Sequence, residues 1–306
     1  MRTVFLGTSE FAVAVLEALA RTPHRPELVV MRPDRPRGRG RKLAPPPVAE
    51  QAERLGIALF QPEDVNSEEA GERIAAAEPE AVAICAYGAL IKEPLLSEFE
   101  MLNVHPSLLP RWRGAAPIER AIEAGDEETG VTIMRPTAEL DAGPMCLQRP
   151  EPIRPDDDYG TLGARLAALG GELLVEALDE RPPYREQPED GVTYAEKLGR
   201  EDRRLDPAMS AAELERKVRA LHPHIGAWLE LPGGDRLGVR RARPALEGPE
   251  PAAGELAGDD GRLLLGTSAG ALELIEVQPA GGRGMEASAW LRGHGGELAS
   301  QNAGRG

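Results

Sequence analysis

The chain is short of cysteine, of aromatic residues, of positive charge and of long apolar runs, and each shortage removes a class of protein. Two cysteines, Cys85 and Cys146, stand far apart in 306 residues. They form no CxxC pair, so a disulfide scaffold is excluded and a reducing, cytoplasmic setting is expected. Aromatic residues make up 4% of the chain, which leaves little material for a surface built on ring stacking. Lysine and arginine number 36 against 51 aspartates and glutamates, a net charge of −15, so the chain as a whole repels a polyanion at long range. No uninterrupted apolar run is long enough to span a bilayer, so no membrane partner is expected. The opening Met1-Arg2-Thr3-Val4-Phe5-Leu6-Gly7 reaches the polar Thr8-Ser9-Glu10 too early for a signal-peptide core and reads as a first strand.

What is present is an ordinary globular composition, 41% hydrophobic and 28% charged, in a chain long enough for two domains. Strand-like and helix-like segments alternate in the first part. Strands are expected at Thr3–Leu6, Glu27–Met31, Ala81–Ala86, Leu102–His105 and Gly130–Met134. Helices fall between them, one after a Ser9 cap, one entered through Pro45-Pro46-Pro47 and stopped by Gly56, and one capped by Ser67. Two more follow, at Ala115–Ala124 and Tyr159–Leu178. Repetition of this kind means an α/β, Rossmann-like fold with a mostly parallel sheet, whose ligands gather at the carboxyl ends of the strands. Cys85, inside the continuous apolar run Ala81–Tyr87, reads as a core residue of that sheet.

Past about Glu180 the texture changes to Pro-rich segments. One helix, Ser210–Leu221, carries a capping box of Ser210 and Glu213. Short strands follow at Ala227–Leu231, Asp235–Arg243, Arg262–Leu265 and Ala271–Val277, separated by Gly-rich turns. The expected division is a first domain over 1–185, a linker over 186–205 and a small OB-like β-barrel over 206–306.

Charge distribution matters more than its sum. From Arg32 to Lys42 the chain reads RPDRPRGRGRK, with Arg35, Arg37, Arg39, Arg41 and Lys42 opposed only by Asp34. Interleaved Gly and Pro keep this arm out of a helix, and its like charges repel until a polyanion neutralises them. Contact with a phosphate backbone is therefore expected.

The densest chemistry lies in Asn103-Val104-His105-Pro106, with Asp141 further on. On a strand, Asn103 and His105 project from one face and Val104 from the other. Pro106 and Pro110 end the strand and begin a stiff loop. An amide and an imidazole suit a developing oxyanion, and a carboxylate can orient the imidazole or accept a proton. No serine or cysteine with an adjacent base presents itself, so attack by a substrate amine is favoured over a covalent enzyme intermediate. Gly7-Thr8-Ser9-Glu10-Phe11 is neither GxGxxG nor a phosphate nest, which argues against a dinucleotide. His222-Pro223-His224 lacks a third ligand, so no metal is expected.

These residues carry a resemblance. Asn103–Ile118, which reads NVHPSLLPRWRGAAPI, with Thr129–Met134 and Leu140–Gly143, resembles the core of the 10-formyltetrahydrofolate-dependent formyltransferases. Pro33–Pro36, Ala86-Tyr87-Gly88 and Thr193–Leu198 with Glu201-Asp202 are similar to the branch whose acceptor is carried on initiator tRNA. The resemblance implies a formyltransferase domain, a linker and a tRNA-binding barrel. It implies an enzyme that moves the formyl group of 10-formyltetrahydrofolate to the α-amine of methionine on initiator tRNA, with no metal. By it, Asn103, His105 and Asp141 are catalytic. Ser107, Leu108, Leu109, Pro110, Tyr87 and Gly88 meet the folate, and Arg35, Arg37, Arg39, Arg41 and Lys42 meet the tRNA. Arg236, Arg240, Arg241 and Arg243 are the barrel's contributors to tRNA contact, and the expected state is a monomer. Ala142 departs from the family, which usually has threonine there, so a hydroxyl beside Asp141 is missing.

Overall fold

A computed structural model describes residues 1–37, 42–231 and 233–294. The chain forms two compact units, one of Met1–Pro117, Glu128–Pro152 and Gly163–Ala195, the other of Ile118–Glu127, Ile153–Leu162 and Glu196–Gly306.

In the first unit the order is β1 (Thr3–Gly7), α1 (Glu10–Ala20), β2 (Pro26–Val30), β3 (Arg35–Arg37), β4 (Lys42–Ala44), α2 (Pro47–Leu55), β5 (Ala58–Phe60), α3 (Glu68–Ala75), β6 (Ala81–Cys85), α4 (Leu95–Glu98), β7 (Met101–His105) and β8 (Arg113–Gly114). After α5 (Pro117–Ala124), nearly all of which falls in the second unit, come β9 (Glu128–Met134), β10 (Met145–Pro152), α6 (Tyr159–Glu180) and β11 (Tyr194–Ala195). Seven strands pair in the order β10-β9-β7-β6-β1-β2-β5. From β5 to β7 all neighbours are parallel, while β9 runs antiparallel to β7 and β10 antiparallel to β9. Both faces of the inner strands are covered, so β1 and β6 are buried at every position. Val4, Leu6, Val30, Val82, Ile84, Tyr87 and Met101 form a core with Ile74 and Leu95 on one face. On the other face α6 approaches through Gly170, where a Cβ would stand 2.8 Å from Val104 Cγ1.

Local sequence explains the helix ends. Gly56 caps α2 in the left-handed region at φ 66°, and Ser67 accepts a hydrogen bond from the Ala70 N–H. Ser9 stands at the N-cap of α1 as expected, yet its hydroxyl makes no capping bond. α5 starts at Pro117, not Ala115, since proline fits the first helical position. β5, β8, β10 and β11 were not expected. Three of them are of two or three residues, and β10, with two prolines and no buried position, lies on the sheet edge.

In the second unit, α7 (Ala211–Leu221) carries the reciprocal capping box of Ser210 and Glu213. The strands are β12 (Ala227–Glu230), β13 (Arg236–Pro244), β14 (Leu256–Asp259), β15 (Arg262–Gly266), β16 (Ala271–Pro279) and β17 (Met285–Glu286). They pair antiparallel in the order β12-β13-β16-β15-β14, with β17 on β16. Leu214, Val218 and Leu221 of α7 join Leu237, Val239, Leu263, Leu272 and Trp290 in one core. Among the described residues no helix is long and apolar enough to cross a membrane.

Candidate active site

β7 positions the first two polar groups. Its residues pair with β6 and β9, Asn103 against Met134 and His105 against Thr132, so the alternation of the strand sends Val104 toward α6 and the pair Asn103 and His105 to the opposite face. Asn103 stays partly exposed, with its amide 3.6 Å from the Met134 sulfur. That weak contact leaves the amide free to donate elsewhere. His105 is buried, 4% exposed, and its Nε2 lies 2.9 Å from the Trp112 carbonyl. A carbonyl only accepts, so Nε2 carries the hydrogen. Nδ1 faces Asp141, 3.7 Å from Oδ2.

Three chain segments converge on this pair. After β7 the backbone turns at once, with Ser107 N–H donating to the His105 carbonyl. Ser107 Oγ donates to the Arg111 carbonyl at 2.6 Å, and Thr132 Oγ1 donates to the Ser107 carbonyl at 2.7 Å. Gln148 Nε2 donates to the Leu109 carbonyl at 3.0 Å. The loop that delivers Trp112 is therefore pinned to β9 and β10. A second loop, between β9 and β10, carries Asp141 at φ 48°, a left-handed conformation unusual for a residue with a side chain. It closes through the Arg135 N–H on the Pro144 carbonyl, so tightly that a Cβ on Gly143 would collide with the Arg135 carbonyl at 1.9 Å. The third segment is β8, where Gly114 N–H donates to Asp141 Oδ2 at 2.9 Å.

The structure thus brings His105 and Asp141 together and puts Asn103 on the same face. Asp141 was expected to orient the imidazole or accept a proton; it faces one ring nitrogen, and the group within hydrogen-bond distance of the other is the Trp112 carbonyl. With Nε2 committed there, Nδ1 can accept a proton when the ring is neutral. It can donate only as the imidazolium, for which the Asp141 carboxylate is the counter-ion. Sequence reasoning missed the Trp112 carbonyl and the Gly114 N–H because backbone groups leave no signature in residue type.

The residues assigned to the folate separate by burial. Tyr87, Ser107 and Leu109 point into the interior, Leu108 and Pro110 are half-buried, and Gly88 is exposed. Burial pushes the Tyr87 phenol up to about 12, so it is a neutral core group. Two exposed leucines that the sequence reading passed over, Leu90 after β6 and Leu140 beside Asp141, leave apolar surface on the loops around the strand ends. In the arm, β3 and β4 pair antiparallel, with Arg37 opposite Lys42 and Arg35 opposite Ala44. Arg39 and Arg41 lie outside the described residues. In the second unit, Arg243 is held by both oxygens of Glu273 and Arg240 by Glu276, while Arg236 stacks over Trp228. Arg241 is exposed.

Comparison with known proteins agrees with this arrangement. The Formyl transferase family model matches residues 1–178, and the model of the Formyl transferase, C-terminal domain matches residues 197–295. The methionyl-tRNA formyltransferase of Halorhodospira halophila is 46% identical over 299 residues, 95% of this chain and 96% of its own. That of Methylococcus capsulatus is 44% identical over 300 residues, 96% and 97% of the two chains. Among solved structures, HypX from Aquifex aeolicus in complex with tetrahydrofolic acid is similar in fold, with a TM-score of 0.66 at 20% identity. The match covers 95% of this chain and 47% of that one, so the chain spans about half the length of HypX. With both domains matched in order and the relatives aligned almost end to end, the chain belongs to the formyl transferase family.

Proposed function

We propose that the chain transfers the formyl group of 10-formyltetrahydrofolate to the free α-amine of methionine on initiator methionyl-tRNA, giving N-formylmethionyl-tRNA for translation initiation. The observation that carries this reading is the His105–Asp141 pair at the carboxyl end of β7, beside an Asn103 amide with a weak partner, in a chain whose near-full-length relatives bear that name. Asn103 donates to the formyl oxygen as negative charge develops on it. The His105–Asp141 pair takes the proton that the attacking amine must lose, at Nδ1 or at the carboxylate that faces it, and passes it toward the leaving nitrogen. The folate supplies the activated formyl group. Its rings fit apolar surface such as that of the exposed Leu90 and Leu140, with Gly88 exposed, Leu108 and Pro110 half-buried, and Tyr87, Ser107 and Leu109 shaping the loops from beneath.

The basic arm, Arg35, Arg37, Arg39, Arg41 and Lys42, meets the phosphates of the tRNA, and the second unit is an OB-like β-barrel that adds backbone contacts. Two of its four arginines spend their charge on glutamates, so Arg236 and Arg241 are the stronger contributors. In this reading the formyltransferase domain covers 1–185, a linker 186–205 and the tRNA-binding barrel 206–306. The protein acts as a cytoplasmic monomer. Replacement of the trio tests the chemistry. Asn103→Ala is expected to lower kcat by about 10²-fold or more, the cost of one oxyanion donor. Asp141→Asn is expected to lower it as strongly, with the bound methionyl-tRNA retained. Product is read as N-formylmethionine released by mild base. Full activity in either variant would remove that residue from the chemistry.

A further inference from the structure

Gln187 lies in a stretch that reads as linker, yet its side chain reaches the site. Its Oε1 accepts from Arg113 Nε at 3.0 Å and from Nη2 at 2.8 Å. Arginine only donates, so the amide orientation is fixed and Nε2 must face the other way. There it donates to the carbonyls of Asp141 at 2.8 Å and Gly143 at 2.9 Å. Arg113 is itself buried, 8% exposed, with Nη1 3.6 Å from a carboxylate oxygen of Glu139 in the same loop. The next residue, Gly114, donates its N–H to the Asp141 carboxylate. One dipeptide therefore grips Asp141 twice, directly at the side chain and through Gln187 at the main chain.

We infer that Gln187 is a positioning residue for Asp141, holding the left-handed backbone at that residue so that its carboxylate stands opposite His105 Nδ1. The inference rests on the function proposed above. The stretch that carries Gln187 does not need its side chain for anchorage. Arg185 and Met145 exchange both backbone hydrogen bonds, each at 2.8 Å. At the other end, the Thr193 carbonyl accepts from Arg113 N–H at 2.9 Å, and β11 pairs with β8. What the side chain adds is two donors aimed at an otherwise strained turn.

The test uses the full-length protein with methionyl-tRNA and 10-formyltetrahydrofolate. Gln187→Glu keeps an acceptor for Arg113 but turns a carboxylate toward two carbonyls. Gln187→Met removes every hydrogen bond at similar volume. Both are expected to lower kcat by about 10- to 100-fold, the cost of a misplaced catalytic group, with KM for both substrates within about twofold. In an Asp141→Asn background measured by single turnover, Gln187→Met is expected to cost no more than a further twofold or so, because it acts through the group already removed. Unchanged kcat in both variants overturns the inference, as does a full additional loss in the double variant. A wild-type protein that formylates no charged tRNA fails the proposed function instead, so the two failures are distinct.

Discussion

His105 has one nitrogen to spend. Burial at the end of β7 and the Trp112 carbonyl fix the ring through Nε2, which leaves Nδ1 facing the Asp141 carboxylate at 3.7 Å. The two cysteines show the same rule of environment before residue type. Cys85 is fully buried in β6, and burial alone drives its thiol far above the ordinary range; Cys146, half-buried on β10, is raised less severely, again chiefly by burial. The thiolate is the reactive form, so a raised value means less of it at any given pH. At pH 8 a maleimide is expected to modify Cys146 in the folded protein and Cys85 only as fast as the chain unfolds, which peptide mass spectrometry resolves. Rapid labelling of Cys85 would place it outside the sheet core. At this scale the sequence was readable where side-chain periodicity decides, as with Asn103 and His105 two apart on a strand. Gln187 was not readable, because its role is set by three carbonyl and guanidinium groups far away in the chain.

At the scale of elements, caps and continuous apolar runs were legible and edges were not. The inner strands β1 and β6 are buried at every position because both sheet faces are covered, and such runs announce themselves, while β7 shares that burial except at Asn103. β5 and the two-residue β8 and β11 exist because a neighbour supplies hydrogen bonds, which no local pattern records. The pair β8–β11 matters most, since it fixes the Gly114 N–H beside Asp141. The capping box of α7 was legible at both residues. Ser210→Ala is expected to destabilise the chain by about 1 kcal/mol at pH 7. Hydrogen bonds from the Ser210 hydroxyl and N–H hold the Glu213 carboxyl below the usual carboxylate range. A lowered folded-state value contributes stability above the ordinary carboxylate pKa and loses it as pH falls through the folded value. The gap between wild type and Ser210→Ala in urea unfolding is therefore expected to narrow toward acid pH. A gap that widened on acidification would contradict the box.

At the scale of the whole molecule, the net charge of −15 is unevenly spread, with Arg35, Arg37, Arg39, Arg41 and Lys42 in one short segment and the rest of the chain acidic; in the function proposed above, that segment meets the polyanionic acceptor. The two classes of sheet, an α/β sheet with antiparallel edge strands and a separate antiparallel sheet with its own helix in the C-terminal region, were both legible in the sequence. The pairing of Ile118–Glu127 and Ile153–Leu162 with the second unit was not, because helix and loop segments carry no mark of the unit they will join. In the function proposed above, the Asn103, His105 and Asp141 site serves an amine borne on RNA. Competition between acceptors measures it most directly: kcat/KM of the purified protein for charged initiator tRNA, free methionine and a nucleotide-linked aminosugar, with 10-formyltetrahydrofolate as donor. Charged tRNA is expected to exceed the other two by at least about a hundredfold. Formylation of the aminosugar nucleotide at a rate equal to or above that of the tRNA would contradict it.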